Sequence, residues 1–364
     1  MTESAQSRLA KHLAAQHGFT LNGVALLPPD GIAPRAASYS EWLSRGFNGP
    51  LEYMRRTRET RMRLQGRFPW ARSVLALGAF YDAAPRGQPG HDLIAHVARY
   101  ARGRDYHLVF QRRLKKLARA LVDQGIAGRA HWLADTGPVL ERAWGEAAGL
   151  GWTGKNTCLI HPRFGSFCLL AEILLDAALA PDTPAGNRCG TCRRCLDACP
   201  THALVAPGIL DANRCLATWN IERRGDAPEQ LWAAQGGCAV GCDICQLACP
   251  FNAPRRLPVP DPELAAPRPW HAMTLAACIA MTPAAFNRAF AASALRRAGL
   301  KGLRLAAITV AGNTRAGECR AALEQCRTDT DYDIRRRAEW ALQHDHSARR
   351  RTSASTSADN AAGL

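Results

Sequence analysis

Nine of the fourteen cysteines fall in one stretch, Cys189 to Cys249, and no other feature restricts this chain so severely. The first run, Cys189-x-x-Cys192-x-x-Cys195-x-x-x-Cys199-Pro200, has the spacing of a bacterial ferredoxin loop. Three thiolates on one tight loop take three corners of an iron–sulfur cubane, and the fourth, just before proline, points to a second cluster. Zinc also favours four thiolates, but its sites usually pair two Cys-x-x-Cys knuckles and need no Cys-Pro ending. A second run, Cys238-x-x-x-Cys242-x-x-Cys245-x-x-x-Cys249-Pro250, departs from the spacing by one residue at its first cysteine. Cross-ligation assigns Cys189, Cys192, Cys195 and Cys249 to one [4Fe–4S] cluster. Cys199, Cys242 and Cys245 go to the other, whose last ligand is Cys215 or Cys238. Cys158, Cys168, Cys278, Cys319 and Cys326 sit on apolar periodic stretches and read as buried small hydrophobes.

Thiols rather than disulfides are expected, because Met1-Thr2-Glu3-Ser4 lacks the basic-then-apolar plan of a secretory leader. The expected location is the cytoplasm. Glu172 and Asp176 interrupt the most apolar stretch, Cys168 to Ala180, which argues against a membrane span. Lys and Arg number 47 against 31 acids, a net charge of +16 that suits a polyanionic partner through counterion release. Charge alone is equally compatible with plain solubility.

Two or three compact units suit 364 residues. Residues 1–180 alternate helical stretches with short β-rich runs such as Ser73 to Leu77. Residues 181–260 hold the cysteines, 270–346 read as helices only, and 347–364 are Ser/Ala-rich and expected to be disordered. A Pro-rich connector runs from Pro254 to Pro269. The fold class is α+β. Phe110, Leu114, Leu117 and Leu121 form one apolar stripe on a helix spanning Asp105 to Gln124. Its other side carries Arg112, Lys115, Lys116 and Arg119, either a solvated face or a nucleic-acid contact. Two short helices, Gly302 to Ala311 and Gly317 to Cys326, are expected on either side of a stop at Gly312-Asn313. The third, Asp333 to Leu342, has the pattern of a HEAT-type repeat. Ten Lys or Arg lie between Arg296 and Arg337, enough for a basic surface.

Asp135 or Thr136 is placed to cap a helix beginning near Pro138. The glycines at 149, 151 and 154 would let a large ligand approach the backbone, although their spacing is not a dinucleotide fingerprint. Several motifs recur here in a fixed order: Tyr100-Ala101-Arg102-Gly103-Arg104-Asp105-Tyr106-His107, Asp135-Thr136-Gly137-Pro138, and Gly151-Trp152-x-Gly154-Lys155-Asn156. The ferredoxin run, Cys242-Asp243-Ile244-Cys245-Gln246 and the terminal helical repeat follow. Together, over residues 10 to 345, they resemble the epoxyqueuosine reductase family.

The resemblance implies an N-terminal cobalamin-binding α/β domain like that of reductive dehalogenases and nitroreductases. A ferredoxin-like domain with two [4Fe–4S] clusters and HEAT-like repeats would follow it. The implied reaction is removal of the epoxide oxygen of epoxyqueuosine at the tRNA wobble position, the last step of queuosine formation. It implies Asp135 as proton donor, held protonated by shielding from water. It places Tyr106, His107, Arg142, Lys155 and Asn156 in the cofactor pocket, and favours Cys215 over Cys238. It also implies that the repeats hold the anticodon stem-loop, through Arg297, Lys301, Arg304, Arg335 and Arg336. A low-potential electron donor would be external and the chain a monomer. Two other readings are a corrinoid reductase for a small molecule and a non-catalytic iron–sulfur tRNA-binding protein.

Overall fold

The computed structural model describes residues 2–82, 84–222, 226–253 and 258–344. The tail expected from residue 347 and part of the Pro-rich connector lie outside these. The chain divides into two interleaved units. Unit 1 takes Met1–Ala83, Gly103–Cys215 and Asp243–Ala266; unit 2 takes Ala84–Arg102, Leu216–Cys242 and Pro267–Leu364. These units cross the boundaries expected near residues 180 and 260, because segments distant in sequence pack together.

Unit 1 contains helices α1 (Glu3–Gln16), α2 (Ala36–Ser44), α3 (Glu52–Arg56), α4 (Arg58–Met62) and α5 (Tyr106–Asp123). It also holds α6 (Glu141–Ala147), α7 (Arg194–Asp197) and α8 (Ile244–Leu247). Its strands are β1 (Leu21–Leu26), β2 (Ser73–Phe80), β3 (Ala130–Leu133), β4 (Trp152–Thr153), β5 (Leu159–Ile160), β6 (Cys168–Leu175), β7 (Leu204–Ala206) and β8 (Ile209–Leu210). Four of them form one sheet in the order β1-β2-β6-β3. Every pairing in it is antiparallel, with Ser73 opposite Leu175 and Leu133 opposite Glu172. The unit is therefore α+β, not a parallel wound α/β domain. β2 is buried along its whole length, as a central strand with both faces covered must be. Alternation turns Val74, Ala76, Phe80 and Leu174 toward Trp144 and Ala148 at α6. The opposite face meets α5, where Phe110, Leu114, Leu117 and Leu121 are fully buried as their spacing predicts. Each such side chain contributes roughly 1.5–3 kcal/mol. The largely buried Arg113–Asp261 ion pair, 2.5 Å, ties the segment ending at Ala266 to α5.

Unit 2 packs Leu93, Ile94 and Val97, then Ile221, Ala239 and Val240, against helices. These are α9 (Leu275–Ile279), α10 (Pro283–Ala289), α11 (Gly299–Thr314), α12 (Arg320–Cys326) and α13 (residues 332–344). α11 runs straight through the stop expected at Gly312-Asn313 and ends at Arg315, which is left-handed (φ 52°). Gly312 serves close packing, since a Cβ there would lie 2.9 Å from Ala341. Asn313 reaches the Trp232 and Gly236 carbonyls. Arg337 is buried over the Trp232 ring and bonded to Asp226 and Thr309.

Candidate active site

α5 begins where Asp105 accepts the His107 backbone N–H (3.0 Å). The same carboxylate oxygen takes His107 Nδ1 at 2.7 Å. The far side of the ring, Nε2, meets Asp135 Oδ2 at 2.9 Å, and Tyr106 stacks on the imidazole. Burial pulls the His107 pKa down, but the bonds to Asp105 and Asp135 outweigh it and carry the group up to about 9. Both ring nitrogens therefore donate at neutral pH. Because the folded value exceeds the ordinary 6.5, the stability this arrangement contributes is complete below about 6.5 and lost as pH rises through about 9.

Asp135 does not cap a helix. α6 starts only at Glu141, its N-cap Leu140 offers no side-chain bond, and Thr136 turns back to the Ala134 carbonyl. Asp135 holds a left-handed backbone (φ 49°), uncommon for a residue with a Cβ, and donates its N–H to Glu141 Oε1 at 2.6 Å. Its side chain is 38% exposed, so the shielded carboxyl expected from the resemblance is not what this structure holds. The proton sits on the histidine beside it.

A cavity of about 540 Å³ opens in unit 1. Asp135, Glu141 and Arg142 border it, with Tyr39, Trp42, Met54 and Leu140 as apolar wall and Pro207 to Leu210 closing another side. Of the five residues expected to line a cofactor pocket, Arg142 alone borders this cavity; it also bonds the Thr157 carbonyl at 2.7 Å. Tyr106 and His107 stand behind Asp135. Lys155 bonds the Gly190 and Cys192 carbonyls at 2.6 and 2.9 Å, and Asn156 reaches the Cys245 carbonyl at 3.3 Å. Those two side chains hold the cysteine loops. The glycines nearby pack closely on protein: a Cβ at Gly151 would strike the Ile160 carbonyl at 2.2 Å, and one at Gly149 the Thr183 carbonyl at 2.6 Å.

Burial pushes the Cys249 thiol up, and charge on Cys189 and Cys195 adds to the push; Cys195 is raised by burial and by Cys189 and Cys192. Cys189 and Cys195 thus lie within electrostatic reach of Cys249, and Cys189 and Cys192 within reach of Cys195. Thiols gathered this way ionise readily only around a cationic centre, which is what a cubane provides. Trp152, fully buried, donates its indole N–H to Cys189 Sγ at 3.4 Å. Cys199 accepts from the Ala203 backbone N–H at 3.3 Å. Cys199, Cys215 and Cys245 belong to unit 1, and Cys242 is the last residue of a unit 2 segment, bonded directly to Asp243 of unit 1. Cys278, Cys319 and Cys326 are buried as expected; Cys158 and Cys168 are intermediate.

The five basic residues expected to hold the stem-loop are all engaged. Arg297 pairs with Glu222 at 2.6 Å, Lys301 with Asp331 and Asp333, Arg304 with Asp329, and Arg336 with Glu229. Arg335 bonds the Asp329 and Thr330 carbonyls. Along α5, Arg112 pairs with Glu263 and Arg119 with Asp123, while Lys115 and Lys116 are exposed and have no carboxylate within ion-pair distance among the described residues.

Glu141 and Glu172 escape a reading of sequence alone. The only signal was a carboxylate inside the apolar run of β6.

Residues 188–252 match the family model described as a 4Fe-4S double cluster binding domain. A double-cluster cysteine domain in a chain whose cavity is bordered by carboxylates, with a charged imidazole behind one of them, defines an iron–sulfur oxidoreductase. Residues 61–136, which carry His107 and Asp135, match the model described as Epoxyqueuosine reductase QueG, DUF1730. A relative from Gloeobacter violaceus named epoxyqueuosine reductase is 43% identical over 81% of this chain and 92% of its own. The chain belongs to the epoxyqueuosine reductase family. Its fold matches a crystal structure of epoxyqueuosine reductase with an epoxyqueuosine-modified tRNA-Tyr stem loop (TM-score 0.77, 27% identity, 93% of this chain and 91% of that one). A Bacillus subtilis epoxyqueuosine reductase, with its aspartate-bearing catalytic loop swung out of the active site, matches over the same shares at TM-score 0.75 and 27% identity. Among the described residues no helix is long and apolar enough to cross a membrane.

Proposed function

We propose that this chain reduces the epoxide of epoxyqueuosine in a tRNA anticodon loop, in the cytoplasm, using two [4Fe–4S] clusters and cobalamin. The reaction adds two electrons and two protons and releases water. The observation that carries the reading is the Asp105–His107–Asp135 chain, which brings a protonated imidazole against a carboxylate at the edge of a cavity. When bound, cobalamin supplies low-valent cobalt as reductant at the epoxide carbon, and the clusters supply electrons from an external low-potential donor.

The protein's own part is placement and protons. Tyr39, Trp42 and Arg142 offer the cavity an apolar wall and a fixed cation, which suits a flat macrocycle fringed with amides. Asp135 passes the proton held by His107 to the epoxide oxygen as charge develops there. Lys155 and Asn156 fix the cysteine loops. Cys189, Cys192, Cys195 and Cys249 hold one cluster; Cys199, Cys215, Cys242 and Cys245 hold the other. Helices α9 to α13 read as HEAT-like.

The test is turnover of epoxyqueuosine-bearing tRNA as a function of pH. The rate falls as pH rises through about 9, where His107 loses its proton. His107→Gln removes that limb and leaves iron content unchanged; a limb that survives the substitution excludes His107 as the source of that proton.

The tRNA footprint is proposed to include Lys115 and Lys116, whose charges are uncommitted. Arg297, Lys301 and Arg336 can join by trading exposed carboxylates for phosphates, since such surface pairs contribute little. Replacing Lys115 and Lys116 with glutamine lowers the slope of log affinity against log salt by about one per lysine. An unchanged slope puts the RNA on another surface.

A further inference from the structure

Both protons consumed in epoxide reduction end on one oxygen, and the Asp135–His107 pair accounts for one of them. Glu172 stands on β6 amid Ala171, Ile173 and Leu174, 1% exposed, on the face that packs against Trp144. Among the described residues its Oε2 finds no hydrogen-bond partner. Glu141, the first residue of α6, borders the cavity and grips the Asp135 loop through its backbone N–H at 2.6 Å. Arg61 is the buried cation near both, yet its guanidinium is committed to the Val139 carbonyl and Thr57 Oγ1 at 2.6 and 2.9 Å. A buried carboxyl and a half-buried one beside it, without a dedicated counter-ion, do not both stay ionised.

We infer that Glu141, backed by Glu172, is a second proton store for the cavity, supplying the proton that lets the opened epoxide oxygen leave as water. The inference rests on the epoxide-reductase reading. In the balance, one proton reaches the epoxide oxygen as the first C–O bond breaks and leaves a hydroxyl. The second reaches that hydroxyl as the other C–O bond breaks, the alkene forms and water departs. The low-potential donor provides the two electrons and is oxidised.

The surroundings support the assignment. Burial, then the Asp135 charge, pushes Glu141 up to about 7; burial and the Glu141 charge push Glu172 well above the carboxylate range. Facing the pair are Arg61 from α4, Arg142 from α6 and Asp135 from its loop. Glu146 on α6 is paired with Arg35. β1, β2, β4 and β5, which also touch α6, carry no titratable side chain; β6 adds Cys168, pushed up by burial to about 12 and neutral, and β3, paired with β6, carries His131 on the Glu172 face, its pKa pulled down by burial.

Two readouts test this on the reconstituted enzyme. In single turnover the wild-type rate falls with rising pH in two steps, near 7 and near 9. Glu141→Gln removes the step near 7 and lowers the rate at about pH 6 by about a hundredfold. Glu172→Gln, which replaces one neutral group by another, retains the step. Infrared titration without tRNA shows a protonated-carboxyl band that fades as pH rises through about 7 and is missing in Glu141→Gln. Persistence of the step or of the fading band in Glu141→Gln overturns the inference, as does loss of the step in Glu172→Gln. An inactive wild type whose band behaves as expected overturns the functional reading instead, and with it this use of the store.

Discussion

Asp135→Asn lowers single-turnover reduction of epoxyqueuosine about a thousandfold, within the range positioned general acids contribute. The amide keeps the shape of the side chain and can still accept a hydrogen bond from His107, so the loop and the cysteine centres stay as they are. It cannot take up the histidine proton and pass it on. Iron and corrinoid content measured beside the rate separate chemistry from assembly: both remain at wild-type level while turnover disappears. Turnover at the wild-type rate would mean that Asp135 only shapes its loop. The structure makes that a serious alternative, since Asp135 is left-handed and anchored from two sides, by Glu141 at its N–H and by His107 at its carboxylate.

Cys195→Ala halves the iron content and abolishes turnover. Cys195 shares its neighbourhood with Cys189, Cys192 and Cys249, so an alanine there opens one cage and leaves the other complete. The same measurement decides the last ligand of the second cluster: Cys215→Ala halves the iron and Cys238→Ala leaves it unchanged. Full iron in Cys195→Ala contradicts the ligand assignment, and a loss in Cys238→Ala moves that ligand from Cys215 to Cys238.

Local rules made part of this legible. A cubane fixes the spacing of its own thiolates, so the double-cluster domain over residues 188–252 could be read directly, and the cross-pairing with Cys249 is proposed from the same spacing. The stripe from Phe110 to Leu121 obeys helical periodicity, and α5 lies where that stripe placed it. What stayed hidden depends on partners far off in sequence. Arg336 reads as a free cation until Glu229 is seen beside it. That Lys155 and Asn156 hold the loops around Gly190 and Cys245 is visible only once those loops come within reach. Asp135 reads as a cap because the residues after it suit a helix start, yet α6 waits until Glu141. Gly312 reads as a stop because close helix packing and helix termination ask for the same residue. Glu172 served only as an argument against a membrane span, although a carboxylate on an apolar sheet face breaks a local rule in the way functional positions do.

The measurement that bears most directly on the central claim is mass analysis of epoxyqueuosine-bearing tRNA. The tRNA is incubated with the anaerobically reconstituted enzyme, iron, sulfide, cobalamin and a low-potential reductant. The account predicts loss of one oxygen from the modified wobble nucleoside, dependent on cobalamin and on the iron–sulfur clusters. An unchanged nucleoside mass with fully loaded enzyme, or zinc in place of iron in the anaerobically purified protein, contradicts it.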